Sequence, residues 1–107
     1  MSYEEAVINI IANGGEGRSH AMNAIRLAKE GDFQAAEEAL KLAEQALVKA
    51  HRVQSNLLKE EASGTKNEVT ILMVHAQDHL MNAMTVLDLA KEIIFIHQHG
   101  VQAKAQS

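Results

Sequence analysis

Apolar residues recur every three or four positions along this chain, in three stretches separated by short polar segments. The middle stretch shows the spacing well, with apolar side chains at Phe33, Ala36, Leu40, Ala43 and Leu47. Steps of three and four place such residues on one face of an α-helix. Alternation of apolar and polar residues, which would indicate a strand, is absent over any useful length. The sequence predicts an all-α fold with helices at about residues 2–30, 32–62 and 65–97 and a C-terminal tail at 98–107.

Capping residues mark the ends of the predicted helices. Ser2 and Glu5 form a capping box at the first N-terminus. Gly31 is suited to end that helix in the left-handed conformation, and Asp32 to cap the second helix. After Ser63-Gly64 ends the second helix, residues 65–68 read Thr-Lys-Asn-Glu, a second capping box at which the third helix is expected to begin.

Three glycines lie close together in the first predicted helix, in the segment Asn13-Gly14-Gly15-Glu16-Gly17. Each glycine inside a helix costs about 1 kcal/mol relative to alanine. Either the helix breaks here, or it continues and the glycines allow a neighbouring helix to approach closely. We favour a continuous or locally distorted helix. A phosphate-binding glycine loop is disfavoured, because no Lys-Ser or Lys-Thr pair follows and no βαβ unit surrounds the segment.

The connections between the predicted helices are only a few residues long, so consecutive helices should run antiparallel. The third helix is apolar on more than one side. Besides its main stripe it carries nine further apolar residues, at Ile71, Met73, Val74, Met81, Met84, Val86, Leu89, Ile93 and Ile96. A helix that is apolar nearly all round is buried nearly all round, and one three-helix bundle does not cover that circumference. The sequence therefore predicts self-association through the third helix.

Composition narrows the class of protein further. Acidic residues outnumber basic ones by 14 to 10 and only three residues are aromatic, so nucleic-acid binding is disfavoured. The absence of cysteine excludes disulfides and thiolate chemistry. No apolar run is long enough to span a membrane, and residues 1–5 lack the features of a signal peptide. We expect a single cytoplasmic domain without membrane insertion.

Three polar residues, His75, Asp78 and His79, interrupt the apolar pattern of the third helix. Their spacing places them on one face, where burial would cost free energy unless they were compensated. They could be ordinary core or surface residues with satisfied hydrogen bonds. His75 and His79 could instead bind a metal, although His-x-x-Asp-His only superficially resembles the inverted zinc-peptidase motif, which has Glu in that place, and no third ligand is evident. In a third interpretation His75 is a nucleophile that accepts a phosphoryl group, with His79 and Gln77 as hydrogen-bonding partners.

The residues around this cluster resemble a known family. Residues 74–81 read Val-His-Ala-Gln-Asp-His-Leu-Met. This segment is similar to the signature of the lactose/cellobiose-type enzyme IIA components of the bacterial phosphoenolpyruvate-dependent sugar phosphotransferase system. Residues 21–25, 28–33 and 50–54 resemble the same family, and the similarity extends over residues 4–97. The tail from His97 to Ser107 resembles nothing diagnostic.

The resemblance implies a function and an assembly. His75 would accept a phosphoryl group from the small phosphocarrier protein of the system and pass it to a cysteine of the IIB component, during uptake of a sugar of the lactose, cellobiose or chitobiose type. The protomers would form a homotrimer, a nine-helix bundle with active sites in grooves between protomers. Asp78 would bind one divalent metal per trimer, with Mg²⁺ the expected ion, on the three-fold axis. The alternative is a helical regulatory phosphocarrier, or an interaction module, that is not dedicated to sugar transport.

Four other histidines need separate interpretations. His51 lies one turn before Gln54 on the second predicted helix, and both belong to a segment that resembles the family. They could line the groove near His75 or form hydrogen bonds between helices, and we favour the structural role. His20, His97 and His99 are expected on the surface.

Overall fold

Three α-helices make up the protein in the computed structural model, which describes the backbone of residues 1–106 and the side chains of residues 1–100. They are α1 (Tyr3–Lys29), α2 (Phe33–Ala62) and α3 (Ile71–Gln106). The bundle measures 61 × 20 × 20 Å, an elongated shape that follows from the rise of about 1.5 Å per residue in long helices. The described residues contain no strand, which confirms the predicted all-α class. None of these helices is both long and apolar enough to cross a lipid bilayer.

The helix order is up, down, up, as the short connections predicted. Gln54 in α2 bonds to Gln77 in α3, whereas Glu44, which is earlier in α2, pairs with Lys91, which is later in α3. α2 and α3 therefore run in opposite directions. α1 packs along the length of both other helices, while α2 and α3 touch each other less and leave open grooves between them.

The predicted capping residues of α1 and α2 are confirmed. Ser2 Oγ accepts a hydrogen bond from the Glu5 backbone N–H at 3.1 Å, and Asp32 Oδ1 accepts one from the Ala35 N–H at 3.1 Å. Gly31 has a φ of 85°, the left-handed conformation that a glycine adopts without steric cost. Local sequence therefore determines where α1 ends and where α2 begins.

The predicted start of the third helix at residue 65 is wrong. The helix begins at Ile71, where Thr70 Oγ1 accepts a hydrogen bond from the Met73 N–H at 3.0 Å. Thr65 is engaged elsewhere, because its own N–H donates to the Glu60 carbonyl at 3.0 Å. That bond completes the Schellman turn that ends α2. The Thr65 N–H is therefore not available to the Glu68 side chain, as a capping box would require.

The predicted end of the third helix also differs from the structure. The helix was expected to stop at residue 97, but its backbone continues through Gln106, so most of the expected tail at 98–107 is helical. Ser107 lies outside the described residues. Proline is absent from the sequence, so no residue in this segment forces the helix to end.

The glycine-rich segment of α1 stays helical, which confirms the favoured interpretation. A Cβ atom on Gly17 would lie 2.5 Å from Leu47 Cδ2, so α1 and α2 are in direct contact there. A Cβ atom on Gly14 would lie 3.6 Å from Leu80 Cα, so α1 and α3 also approach closely. The core around these contacts combines small alanines with Leu, Ile and Val side chains. The glycines therefore serve helix packing, and the loss of helix propensity is offset by burial.

α3 leaves a row of large apolar side chains exposed. Ile71 is 90% exposed and Ile96 is 67% exposed, and the row between them includes Val74, Met81, Leu89 and Ile93. A continuous row of exposed apolar side chains of this kind is typical of an interaction surface. This face is the one from which the sequence predicted self-association.

Candidate functional site

Two histidine rings stack on the surface of α3. His75 and His79 are one helical turn apart, with ring centroids 5.9 Å apart and an angle of 12° between the ring planes. His75 is exposed and His79 is half-buried. Ala76 and Leu80, both buried, hold this part of α3 against the core and so orient the two rings. The result is an accessible imidazole, a nucleophile near neutral pH, with a second imidazole held beside it.

His79 also lies against α1, at the two adjacent glycines. A Cβ atom on Gly15 would be 3.1 Å from His79 Nε2, and one on Gly14 would be 3.4 Å from His79 Cδ2. The edge of the ring therefore lies against the α1 backbone, and its flat side is parallel to the ring of His75. Sequence reasoning recognised the glycine cluster but not its contact with His79, because a single sequence does not reveal which residue of another helix faces a given glycine.

Gln77 faces α2, away from the stacked histidines. Its Oε1 accepts a hydrogen bond from Gln54 Nε2, and its Nε2 donates to Met73 Sδ at 3.4 Å. Gln54 is only 8% exposed, so this amide pair is an inter-helix contact inside the bundle. The structural role that we favoured for Gln54 agrees with this position. The structure does not bring the Gln77 amide to His75 within the protomer.

The amide pair should show strong energetic coupling. We expect Gln54→Leu and Gln77→Leu each to lower the free energy of unfolding by about 1 kcal/mol, because each leaves one amide partly buried without its partner. The double variant should lose less than the sum of the two, since neither amide is then left unpaired. Denaturant unfolding of the parent, the two single variants and the double variant measures the coupling. Strictly additive losses would show that the two side chains act independently.

The Asp78 side chain faces a different part of the surface from the two histidines. Its side chain is exposed and lines a groove of about 560 Å³ between α2 and α3, together with Val74 and Met81. No ion pair joins it to either histidine among the described side chains. The same part of the chain contains no cluster of three or more metal-ligating side chains. Of the three predicted residues, the structure therefore brings His75 and His79 together, and one protomer supplies a single carboxylate at Asp78.

The remaining histidines lie elsewhere. His51 is exposed and lines a second groove of about 550 Å³ between α2 and α3. His97 and His99 are exposed, as expected. His20 is half-buried, with its Nε2 3.6 Å from Glu16 Oε1 one turn earlier on α1. None of these positions places a third histidine beside the stacked pair.

Comparison with known proteins identifies the family. The profile described as "PTS system, Lactose/Cellobiose specific IIA subunit" matches residues 5–98. The lichenan-specific phosphotransferase enzyme IIA component of Bacillus subtilis is 50% identical over 104 residues, which is 97% of this chain and 94% of the relative. The N,N'-diacetylchitobiose-specific EIIA component of Escherichia coli is 42% identical over 95 residues, covering 89% and 82% of the two chains.

Solved structures give the same result. The cellobiose-specific enzyme IIA from Bacillus anthracis superimposes with a TM-score of 0.91 at 43% identity, covering 97% of this chain and 95% of the other. The IIA(Chitobiose) chain solved in complex with HPr from Escherichia coli superimposes with a TM-score of 0.79 at 39% identity, covering 92% and 96%. The chain belongs to the lactose/cellobiose-specific IIA family of the sugar phosphotransferase system, whose members carry phosphoryl groups.

Proposed function

From the chain's membership of this family, we propose that His75 accepts a phosphoryl group from the phosphocarrier protein of the system and passes it to a cysteine of a IIB component. The observation that carries this proposal is the exposed imidazole of His75 stacked on a second imidazole that the bundle holds in place. A relative solved as a complex with HPr supports the choice of donor. Replacement of His75, described in the Discussion, is the test.

The two transfer steps are displacements at phosphorus. The lone pair of an unprotonated His75 ring nitrogen forms an N–P bond, while the bond between phosphorus and the donor breaks and its electron pair returns to the donor. In the second step the cysteine sulfur of the IIB component attacks phosphorus, and the N–P electron pair returns to the imidazole. Such transfers need mainly positioning and charge stabilisation. An exposed side chain on a packed helix provides both access and a defined position.

His79 is the supporting residue in this proposal. Its ring lies parallel to that of His75 and is within reach of a group bound there. A ring N–H of His79 would donate a hydrogen bond to a phosphoryl oxygen and so stabilise its negative charge. Gln77, which the sequence analysis placed in the same role, would contribute indirectly because its amide is bound to Gln54 in the protomer.

The sugar is proposed to be of the lactose, cellobiose or chitobiose type. Relatives named for lichenan, chitobiose, cellobiose and lactose support this range. The proposed location is the cytoplasm, since the relay begins with phosphoenolpyruvate, a cytoplasmic metabolite. Growth of a strain lacking the gene on each of these sugars would identify the one transported. A strain that grows normally on all of them would favour the alternative, a regulatory phosphocarrier.

The protomer is proposed to form a homotrimer through α3. The exposed apolar row of α3, which includes Ile71 at 90% and Ile96 at 67% exposure, supports burial against other copies of the chain. A parallel arrangement of three copies of α3 would bring equivalent residues together around one axis. Nine helices would then enclose a core that the single protomer lacks.

Asp78 is proposed to bind one divalent cation at the centre of this trimer. A single protomer offers one carboxylate, so a site requires the three symmetric copies, whose hard oxygen ligands suit Mg²⁺. Two unit charges about 5 Å apart repel by about 3 kcal/mol at an effective dielectric constant of about 20. A bound cation would supply the positive charge that offsets the repulsion among three carboxylates.

Removal of this charge should make assembly insensitive to chelation. We expect Asp78→Leu to remain trimeric with and without EDTA, because an apolar side chain replaces the repelling carboxylates. The parent trimer should weaken in EDTA. Sedimentation equilibrium of both proteins measures the effect, with Asp88→Leu, another exposed aspartate of α3, as the control. An Asp78→Leu protein that dissociates while the parent stays trimeric in EDTA would contradict the metal site.

A further inference from the structure

The contact between Gly15 and His79 carries a further inference about phosphoryl transfer, which rests on the function proposed above. Gly15 lies on α1 and is half-buried. The imidazole of His79 lies where a side chain on Gly15 would be. A Cβ atom on Gly15 would lie 3.1 Å from His79 Nε2 and 4.0 Å from His79 Cε1. Ordinary carbon contacts lie at about 3.5–4.0 Å, so a methyl group here would compress the nitrogen edge of the ring.

Two neighbouring edges of the His79 ring lie against α1. The Cδ2 edge of the ring faces Gly14, at 3.4 Å from the position of a Cβ atom, and the Nε2 edge faces Gly15. The flat side of the ring lies parallel to the ring of His75. Any movement away from α1 therefore changes the geometry between the two imidazoles.

We propose that Gly15 is a positioning residue for phosphoryl transfer. The missing side chain lets the His79 ring lie against α1 with its flat side parallel to the acceptor ring. Gly15 takes no part in the chemical step proposed above, in which the N–P bond forms at His75 as the bond from phosphorus to the donor breaks. Gly15 acts only by keeping the His79 ring in the position from which one of its N–H groups donates a hydrogen bond to the transferred group.

The adjacent glycine supplies a matched control. A Cβ atom on Gly14 would meet its nearest atoms at 3.4, 3.6 and 3.7 Å, which are ordinary contact distances. The closest of these atoms, Cδ2, belongs to the same His79 ring. Gly14→Ala and Gly15→Ala therefore make the same chemical change on neighbouring residues of α1, but only the second presses on Nε2.

The test measures the rate at which His75 is phosphorylated by phosphoenolpyruvate, enzyme I and the phosphocarrier protein. We expect Gly15→Ala to lower this rate by about tenfold, because a shift of a few tenths of an ångström misplaces a stabilising donor. Gly14→Ala should stay within about twofold of the parent. In a His79→Gln background the addition of Gly15→Ala should cause no further loss, since the residue it positions is gone. The His79 ring resonances should move in Gly15→Ala and stay near their parent positions in Gly14→Ala.

Two results would overturn the proposal. If Gly15→Ala is phosphorylated at the parent rate, the position of His79 does not depend on the missing side chain at residue 15. An equal loss in the parent and in the His79→Gln background would show that Gly15 acts independently of the ring, for example by admitting the backbone of a partner. Mass-spectrometric mapping of the label separates these results from failure of the proposed function. Label on a residue other than His75 would overturn the acceptor assignment and the positioning role together.

Discussion

Replacement of His75 by glutamine should abolish phosphorylation of the protein by phosphoenolpyruvate, enzyme I and the phosphocarrier protein. A glutamine amide nitrogen has no free lone pair for attack at phosphorus, so the loss should exceed about 1000-fold, or about 4 kcal/mol of transition-state stabilisation. His75 is exposed, and its ring stacks on that of His79 at the helix surface. The free energy of unfolding should therefore change by less than about 0.5 kcal/mol.

The other exposed histidines provide controls for this experiment. His51 and His99 are exposed on α2 and α3. His51→Gln and His99→Gln should keep the acid-labile label, and peptide mapping of the parent should locate it on His75. Label that moves to His79 in the His75→Gln protein would mean that either imidazole of the stacked pair accepts the group. Undiminished label on any other residue would refute His75 as the acceptor.

Replacement of Gly17 by alanine should destabilise the bundle, although alanine is the better helix former. The new Cβ atom would lie 2.5 Å from Leu47 Cδ2, 2.6 Å from Leu47 Cγ and 3.3 Å from the Ala43 carbonyl oxygen. Leu47 is buried in the core, so its displacement disturbs its neighbours. Overpacking against two atoms of a buried leucine costs about 2–3 kcal/mol, the upper part of the usual range, which exceeds the gain of about 1 kcal/mol in helix propensity. We expect a net loss of about 1–2 kcal/mol and a Tm lower by about 5–10 °C.

Gly14→Ala is the matched control because it makes the same change three residues earlier in α1. Its Cβ atom meets its nearest atoms at 3.4 Å or more, so the gain in helix propensity should remain and stability should stay equal or rise. Thermal unfolding at equal protomer concentration measures both variants, since assembly makes Tm depend on concentration. A Gly17→Ala protein as stable as Gly14→Ala would show that Leu47 rearranges freely and that α1 and α2 do not require glycine there.

Much of the site could be anticipated from local sequence. The spacing of His75 and His79 places both on one helical face, and the structure shows their rings stacked. The same spacing argument grouped Asp78 with them, but Asp78 lines the groove between α2 and α3. Residues three and four apart point in similar but not identical directions on a helix. Here His79 lies against α1, whereas Asp78 faces the groove beside α2. Gln77 was expected to supply a hydrogen bond to the acceptor if it pointed that way, and in the protomer its amide faces α2 and binds Gln54.

Apolar periodicity predicted the number of helices, and Gly31 and Asp32 predicted the end of α1 and the start of α2, because these signals act through contacts within a few residues. The later start of α3 also has a local cause, because the Thr65 N–H is used in the turn that ends α2 and Thr70 caps α3 instead. What the glycines of α1 face, by contrast, depends on the packing of the three helices. The contacts of Gly17 with Leu47 and of Gly15 with His79 depend on how α1 lies against two other helices. Such contacts join residues far apart in sequence, and no local pattern encodes them.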